Sequence, residues 1–172
     1  MRRSKDRDAF SAMTTFTEKG IDHAAIKFVD TDGVEKFYHG IGEGIRIQPV
    51  PEYLKDHQEL SAFEVQSHSP QEKFCAWAHK RAEDDPEKPG YGKIKYSMRQ
   101  ILINKTLRFF KIGWIVTIKN GDKAIICCEE AARAVDLHAI FTTEIDGLDG
   151  IGLKQFEELM VSASAEEVKR IL

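Results

Sequence analysis

Cys75 and His79 stand four residues apart in QEKFCAWAHKR, a spacing that puts both side chains on one face of a helix. With His57 or His68 they could complete a zinc site. The paired-cysteine spacings of structural zinc sites are absent, however, and Cys75 lies beside Phe74 and Ala78. A buried thiol with a surface histidine is therefore the preferred reading, and no metal or cofactor is expected. Asp56 and Glu64, followed by Gln66, offer carboxylates that could hold magnesium for attack on a phosphodiester, the chemistry of a metal-dependent hydrolase or nuclease. A solvated strand face would use the same residues. Cys127 and Cys128 close the run KAIICC, which reads as a strand; adjacent strand residues point to opposite faces, so the two thiols cannot share an ion, and at least one belongs in the core. No serine, histidine and acid order carries a signature, and the reading leans away from catalysis.

A second chemistry lies in the charges. Between Lys93 and Lys123 there are eight Lys or Arg residues and a single acid, Asp122, in a chain whose formal net charge is -3. Lys93, Lys95, Arg99, Lys105, Arg108 and Lys111 interleave with Tyr96, Phe109, Phe110 and Trp114, a mixture that can bind phosphates and stack bases. The same aromatics can instead fill a core while the basic side chains reach solvent.

From 142 the chain reads TTEIDGLDGIGLKQFEELMVSASAEEVKRIL. Leu148, Gly150, Ile151, Gly152 and Lys154 match a hairpin leading into a helix, and over these thirty or so residues the chain resembles the helix-hairpin-helix motif of DNA repair, ligase and recombination proteins. The resemblance implies that glycines bring the turn close to a phosphate and that N–H groups at the helix start face the anion. Phe156 replaces the family's usual small residue, and Asp149 sets a carboxylate beside the turn. An ordinary glycine-bearing turn between helices is the competing reading.

The elements that must carry these residues follow from periodicity. Residues 21–29 and 34–39 form a hairpin around Asp30, Thr31, Asp32 and Gly33. Gly40, Gly42 and Gly44 mark a bulged bend before a strand that ends at Pro49 and Pro51; no helix follows to make them a dinucleotide site. A short helix from Pro51, a strand at 62–66 and a helix capped by Ser69 with Pro70 come next. Residues 83–92, rich in proline, glycine and acids, read as a mobile loop that could divide the domain. Ser97 could cap a helix through Phe110, but apolar residues there lie on nearly every side, so the element is either fully buried or partly a strand. A second hairpin joins 112–119 to 123–128 through Asn120 and Gly121, and a helix spans 129–137 with its acids in the first turn.

The sequence thus predicts an α+β domain over 13–172: two β-hairpins in a largely antiparallel sheet, flanking helices, and a helical C-terminal segment at 142–172, behind a charged tail at 1–12. At 172 residues such a chain can bury roughly two thirds of its unfolded surface. Hydrophobic residues at 42% and charged ones at 31% exclude disordered and fibrous classes. No apolar run reaches the ~20 residues of a membrane helix, and no secretory signal is legible. Three cysteines without framework spacing point to a cytoplasmic or similarly reducing compartment. The function expected is an accessory protein binding nucleic acid through phosphates, with Gly150, Ile151, Gly152 and Lys154 as contacts; a protein-interaction or self-assembling subunit, or the metal-dependent hydrolase above, are the alternatives.

Overall fold

The first hairpin closes through its own turn chemistry. In a computed structural model of the protein, Gly33 N–H donates to the Asp30 carbonyl at 2.9 Å, with Gly33 at φ +77°. The Asp30 and Asp32 carboxylates accept from the N–H groups of Thr31 and Val34. Positive φ is cheap only for glycine, so this turn fixes the register. Strands β2 (Ala25–Val29) and β3 (Glu35–Ile41) pair antiparallel from Ala25 opposite His39 to Val29 opposite Glu35. The structure describes residues 2–4, 23–59, 62–67, 69–96, 124–125, 127–138, 153–163 and 168–170.

Gly40 to Gly44 do not form the bulge expected. β3 runs through Gly40, and Gly42 and Glu43 turn it directly into β4 (Gly44–Pro49), giving a three-stranded antiparallel sheet. Pro49 then leads into helix α1 (Val50–Asp56), where the proline ring is accommodated at the helix start. β5 (His57–Glu59) pairs with β1 (Arg2–Ser4), and β6 (Phe63–Val65) with β11 (Val168–Arg170).

Helix α2 (Gln71–Arg81) begins one residue later than the sequence suggests. Pro70, not Ser69, is the cap, and its carbonyl accepts from Lys73 and Phe74. Ser69 is instead tied to the Ser67 hydroxyl. The 83–92 segment, expected to be a mobile loop, forms a hairpin of β7 (Asp84–Asp85) and β8 (Lys88–Gly92). Arg46 anchors it through Asp84 and the Gly90 carbonyl, and Lys93 pairs with Glu83. β9 (Lys95–Tyr96) pairs parallel with β10 (Ala124–Ile125); helices α3 (Cys127–His138) and α4 (Leu153–Ser162) follow.

Period-2 alternation sorts the sheet's faces. Ile26, Phe28, Tyr38, Ile45 and Ile47 face Phe74, Trp77 and Ala78 of α2. Ala24, Ile26, Phe63 and Val65 meet the α3–α4 pair, whose contact is built by Ala131, Val135, Leu153, Phe156 and Met160. Phe37 and His39 turn the other way, onto Tyr53 of α1. The described residues are thus mixed α+β with an antiparallel sheet at the centre, as the sequence predicts, and none of their helices is long and apolar enough to cross a membrane. The expected element at 97–110 and the Asn120–Gly121 turn lie outside them.

The tightest backbone approach joins β4 to β8. Gly44 has φ +124°, and a Cβ there would stand 2.8 Å from the Ile94 carbonyl oxygen and 2.9 Å from Gly92 Cα. Gly44→Ala should therefore cost about 2–3 kcal/mol in denaturant unfolding. Gly42→Ala, with nothing within 4 Å, should stay within about 0.5 kcal/mol. Equal losses at both positions would contradict this origin of the cost.

Candidate active site

Cys127 and Cys128 are not on a strand. β10 ends at Ile125 and the two thiols open helix α3, 5% and 3% exposed. A helix start presents N–H groups without intrahelical partners and the positive end of the macrodipole, both favourable to an anion. The thiol of Cys127 is held well below its usual range. The Cys128 thiol donates to its sulfur, and the charge and hydrogen bond of His23 and the backbone N–H of Ala24 add to this, together outweighing burial.

His23 lies just ahead of β2 and is itself buried. Its Nε2 is 3.0 Å from Nδ1 of His39 on β3, and His39 Nε2 is 2.9 Å from Oε1 of Gln48 on β4. The two imidazoles meet edge to face at a centroid distance of 5.2 Å. Tyr53 and His57, stacked 4.1 Å apart, line the same pocket of rings, with His57 5.1 Å from His23. These contacts restrict how His23 can rotate. His23, His39 and Gln48 thus form one hydrogen-bonded series, drawn from a position just ahead of β2 and from β3 and β4, and His23 acts on the Cys127 thiol at the start of α3.

One turn along α3, Glu130 is 1% exposed. Its carboxylate accepts from Arg81 Nε and from Arg81 Nη2 at 2.7 Å, and from the Tyr38 hydroxyl. Burial first, then the Glu130 charge, push the Tyr38 phenol far above its ordinary range, so it stays a donor. Burial would lower the Arg81 value, but the Glu130 carboxylate more than offsets it. A paired buried carboxylate of this kind ties the first turn of α3 to both α2 and β3.

Cys75 and His79, the zinc candidates, are used differently. Cys75 Sγ lies 3.5 Å from the Val29 carbonyl, and burial raises its thiol. His79 Nε2 reaches Asp30 at 2.9 Å, beside Lys36 Nζ at 2.7 Å. Burial would raise the Asp30 carboxyl, yet hydrogen bonds from Lys36, His79 and the Thr31 N–H hold it well below the carboxylate range. Among the described residues no three His, Cys, Asp or Glu side chains form a metal-holding group. Asp56 ends α1, while Glu64 stands exposed on β6 opposite Lys169.

Of the expected phosphate contacts, Gly150, Ile151, Gly152, Arg99, Lys105, Arg108 and Lys111 lie outside the described residues. Lys93 is paired with Glu83, Lys95 is exposed on β9, and Lys154 pairs with Glu158 at 3.2 Å within α4. The nucleic-acid reading therefore rests on its sequence pattern. A cleft of about 470 Å³ between α2 and the sheet edge is lined by Lys36, Arg46, Ile47, Pro49, His79, Ala82 and Glu83. It contains none of the Cys127 series, so side-chain chemistry rather than concavity marks the site.

Sequence reasoning missed this site because its residues come from positions 23, 39, 48 and 127. The available signal was an apolar run ending in cysteines immediately before EEAARAV, the pattern of a strand passing straight into a helix. No protein-family model, curated protein or solved structure matches the chain.

Removing Glu130 strands the Arg81 guanidinium, which is 14% exposed. Glu130→Ala should cost about 3–5 kcal/mol in urea unfolding, and Arg81→Met combined with Glu130→Leu should recover most of that. A single-variant cost below about 1 kcal/mol would show that the clamp does not hold α3.

Proposed function

We propose that the chain is a cysteine-dependent acyl-transfer enzyme, a hydrolase or transferase of amides, esters or thioesters, with Cys127 as nucleophile and His23 as its general base and acid. The observation that carries this reading is the hydrogen-bonded series His23, His39, Gln48 beside the buried Cys127 thiol at the start of α3, which His23 helps to hold below its usual range. A nucleophile beside a base, with the base oriented by a third group, is the geometric signature of covalent catalysis on many unrelated folds.

The chemistry follows from the placement. His23 takes the Cys127 proton, and the sulfur lone pair forms a bond to a carbonyl carbon. The carbonyl π electrons move onto oxygen, where first-turn N–H groups of α3 can receive the negative charge. When the tetrahedral species collapses, the bond to the leaving amine, alcohol or thiol breaks and His23 returns the proton to it. A thioester on Cys127 remains. Water, or another acceptor, then gives a proton to His23 and attacks the thioester, releasing the acyl group and the thiolate. The buried setting of Cys127 among Ala24, Leu153 and Phe156 strengthens each of these charge interactions.

Acylation by a small activated ester such as p-nitrophenyl acetate tests the proposal. Release of p-nitrophenol should accompany a single acetyl group on the peptide carrying Cys127, found by mass spectrometry. Cys127→Ala should abolish it, Cys128→Ser should leave acylation on Cys127, and His23→Gln should slow it by at least about 100-fold. Equal labelling of Cys75, or acylation undiminished in Cys127→Ala, would overturn the assignment.

A further inference from the structure

The acceptor at the far end of the series decides which nitrogen of each histidine carries a proton. Gln48 Oε1, 2.9 Å from His39 Nε2, is an amide oxygen and can only accept. His39 Nε2 must then bear the hydrogen, which leaves its Nδ1 as a lone pair in the neutral ring. That lone pair lies 3.0 Å from His23 Nε2, so the His23 hydrogen is on Nε2. The remaining nitrogen, His23 Nδ1, is left as the lone pair of the neutral ring.

We infer that Gln48 is a positioning residue, acting through His39 to hold His23 in the one tautomer that can accept a proton from Cys127. The inference rests on the acyl-transfer reading for its purpose, but the tautomers are observable without any turnover. The geometry suits the role. Gln48 sits diagonally across the β3–β4 ladder from His39, facing Phe37 in register, and such diagonal pairs lie within reach of long side chains. His39 is 3% exposed, which limits competition from water for its ring nitrogens. Once His23 is protonated by Cys127 it donates from both nitrogens, and Nε2–H continues to donate to His39. Neither ring has to turn during the cycle. An amide nitrogen in the place of Oε1 would reverse every donor in the series and aim an N–H at the sulfur, leaving no base.

The experiment uses full-length chain labelled with ¹⁵N-histidine, compared with Gln48→Leu and Gln48→Glu. Long-range ¹H–¹⁵N spectra should show His39 as the Nε2–H tautomer in the parent, and His23 as the Nε2–H tautomer in Cys127→Ala, where it receives no thiol proton. Gln48→Leu should leave His39 a mixture of tautomers and slow iodoacetamide alkylation of Cys127 by on the order of tenfold. Gln48→Glu keeps an acceptor at the same reach and should restore both. An Nδ1–H tautomer at His39 in the parent, or at His23 in Cys127→Ala, would overturn the inference. So would Gln48→Leu retaining the parental tautomers and alkylation rate, or Gln48→Glu behaving like Gln48→Leu while remaining folded. Should the tautomers be as stated while Cys127 resists acylation by p-nitrophenyl acetate, it is the acyl-transfer reading that fails and not the role of Gln48.

Discussion

The seating of helix α3 on strand β3 is the constraint from which the site follows. Adjacent β3 residues do opposite jobs: Tyr38 turns to the helix face and donates to Glu130, while His39 turns to the α1 face and meets His23. Because strand residues alternate faces, a single strand fixes both halves of the Cys127–His23 pair. Arg81, from the last turn of α2, completes the Glu130 clamp. A slip of β3 by one residue would exchange the two faces and dismantle both contacts at once. The Asp30–Gly33 turn, with its positive-φ glycine, guards against that slip.

The chain's thiols show how environment, and not residue type, sets reactivity. Cys75 and Cys127 are both almost wholly buried. At Cys75 burial acts first, and the nearby Asp30 carboxylate works in the same direction, so the neutral thiol is favoured. At Cys127 the Cys128 thiol, His23 and a backbone N–H all favour the anion and outweigh burial. A desolvated thiolate is costly unless it is met by donors. A helix start, whose first N–H groups have no intrahelical partner and which carries the positive end of the macrodipole, favours such an anion.

What could be read in the sequence was what local chemistry decides. Asp30 to Gly33 specify a turn by themselves, and the apolar periodicity of 71–81 and 129–137 specifies helices within a residue or two. Pro-rich and Gly-rich 83–92 misled because its order comes from outside: Arg46, on β4, anchors it through Asp84 and Gly90. The run KAIICC has the β-branched and apolar character of a strand, and only the seating of Glu130 against Arg81 and Tyr38 shows why the helix starts at Cys127. The site was hidden for the same reason. His23, His39 and Gln48 have no spacing relative to Cys127 that a motif could encode; sheet register brings them together.

Ultraviolet titration of thiolate absorbance, recorded as the difference between the parent chain and Cys127→Ser, tests the activated cysteine most directly. A thiol whose folded value is depressed keeps its charge as the pH falls below the ordinary value of 9.0 and loses it only on passing the folded value. The difference signal should therefore persist at pH values below that ordinary value. A signal that emerges only as the pH rises through about 8.5–9 would mean that Cys127 is an ordinary buried thiol and that the series built on it has no catalytic purpose.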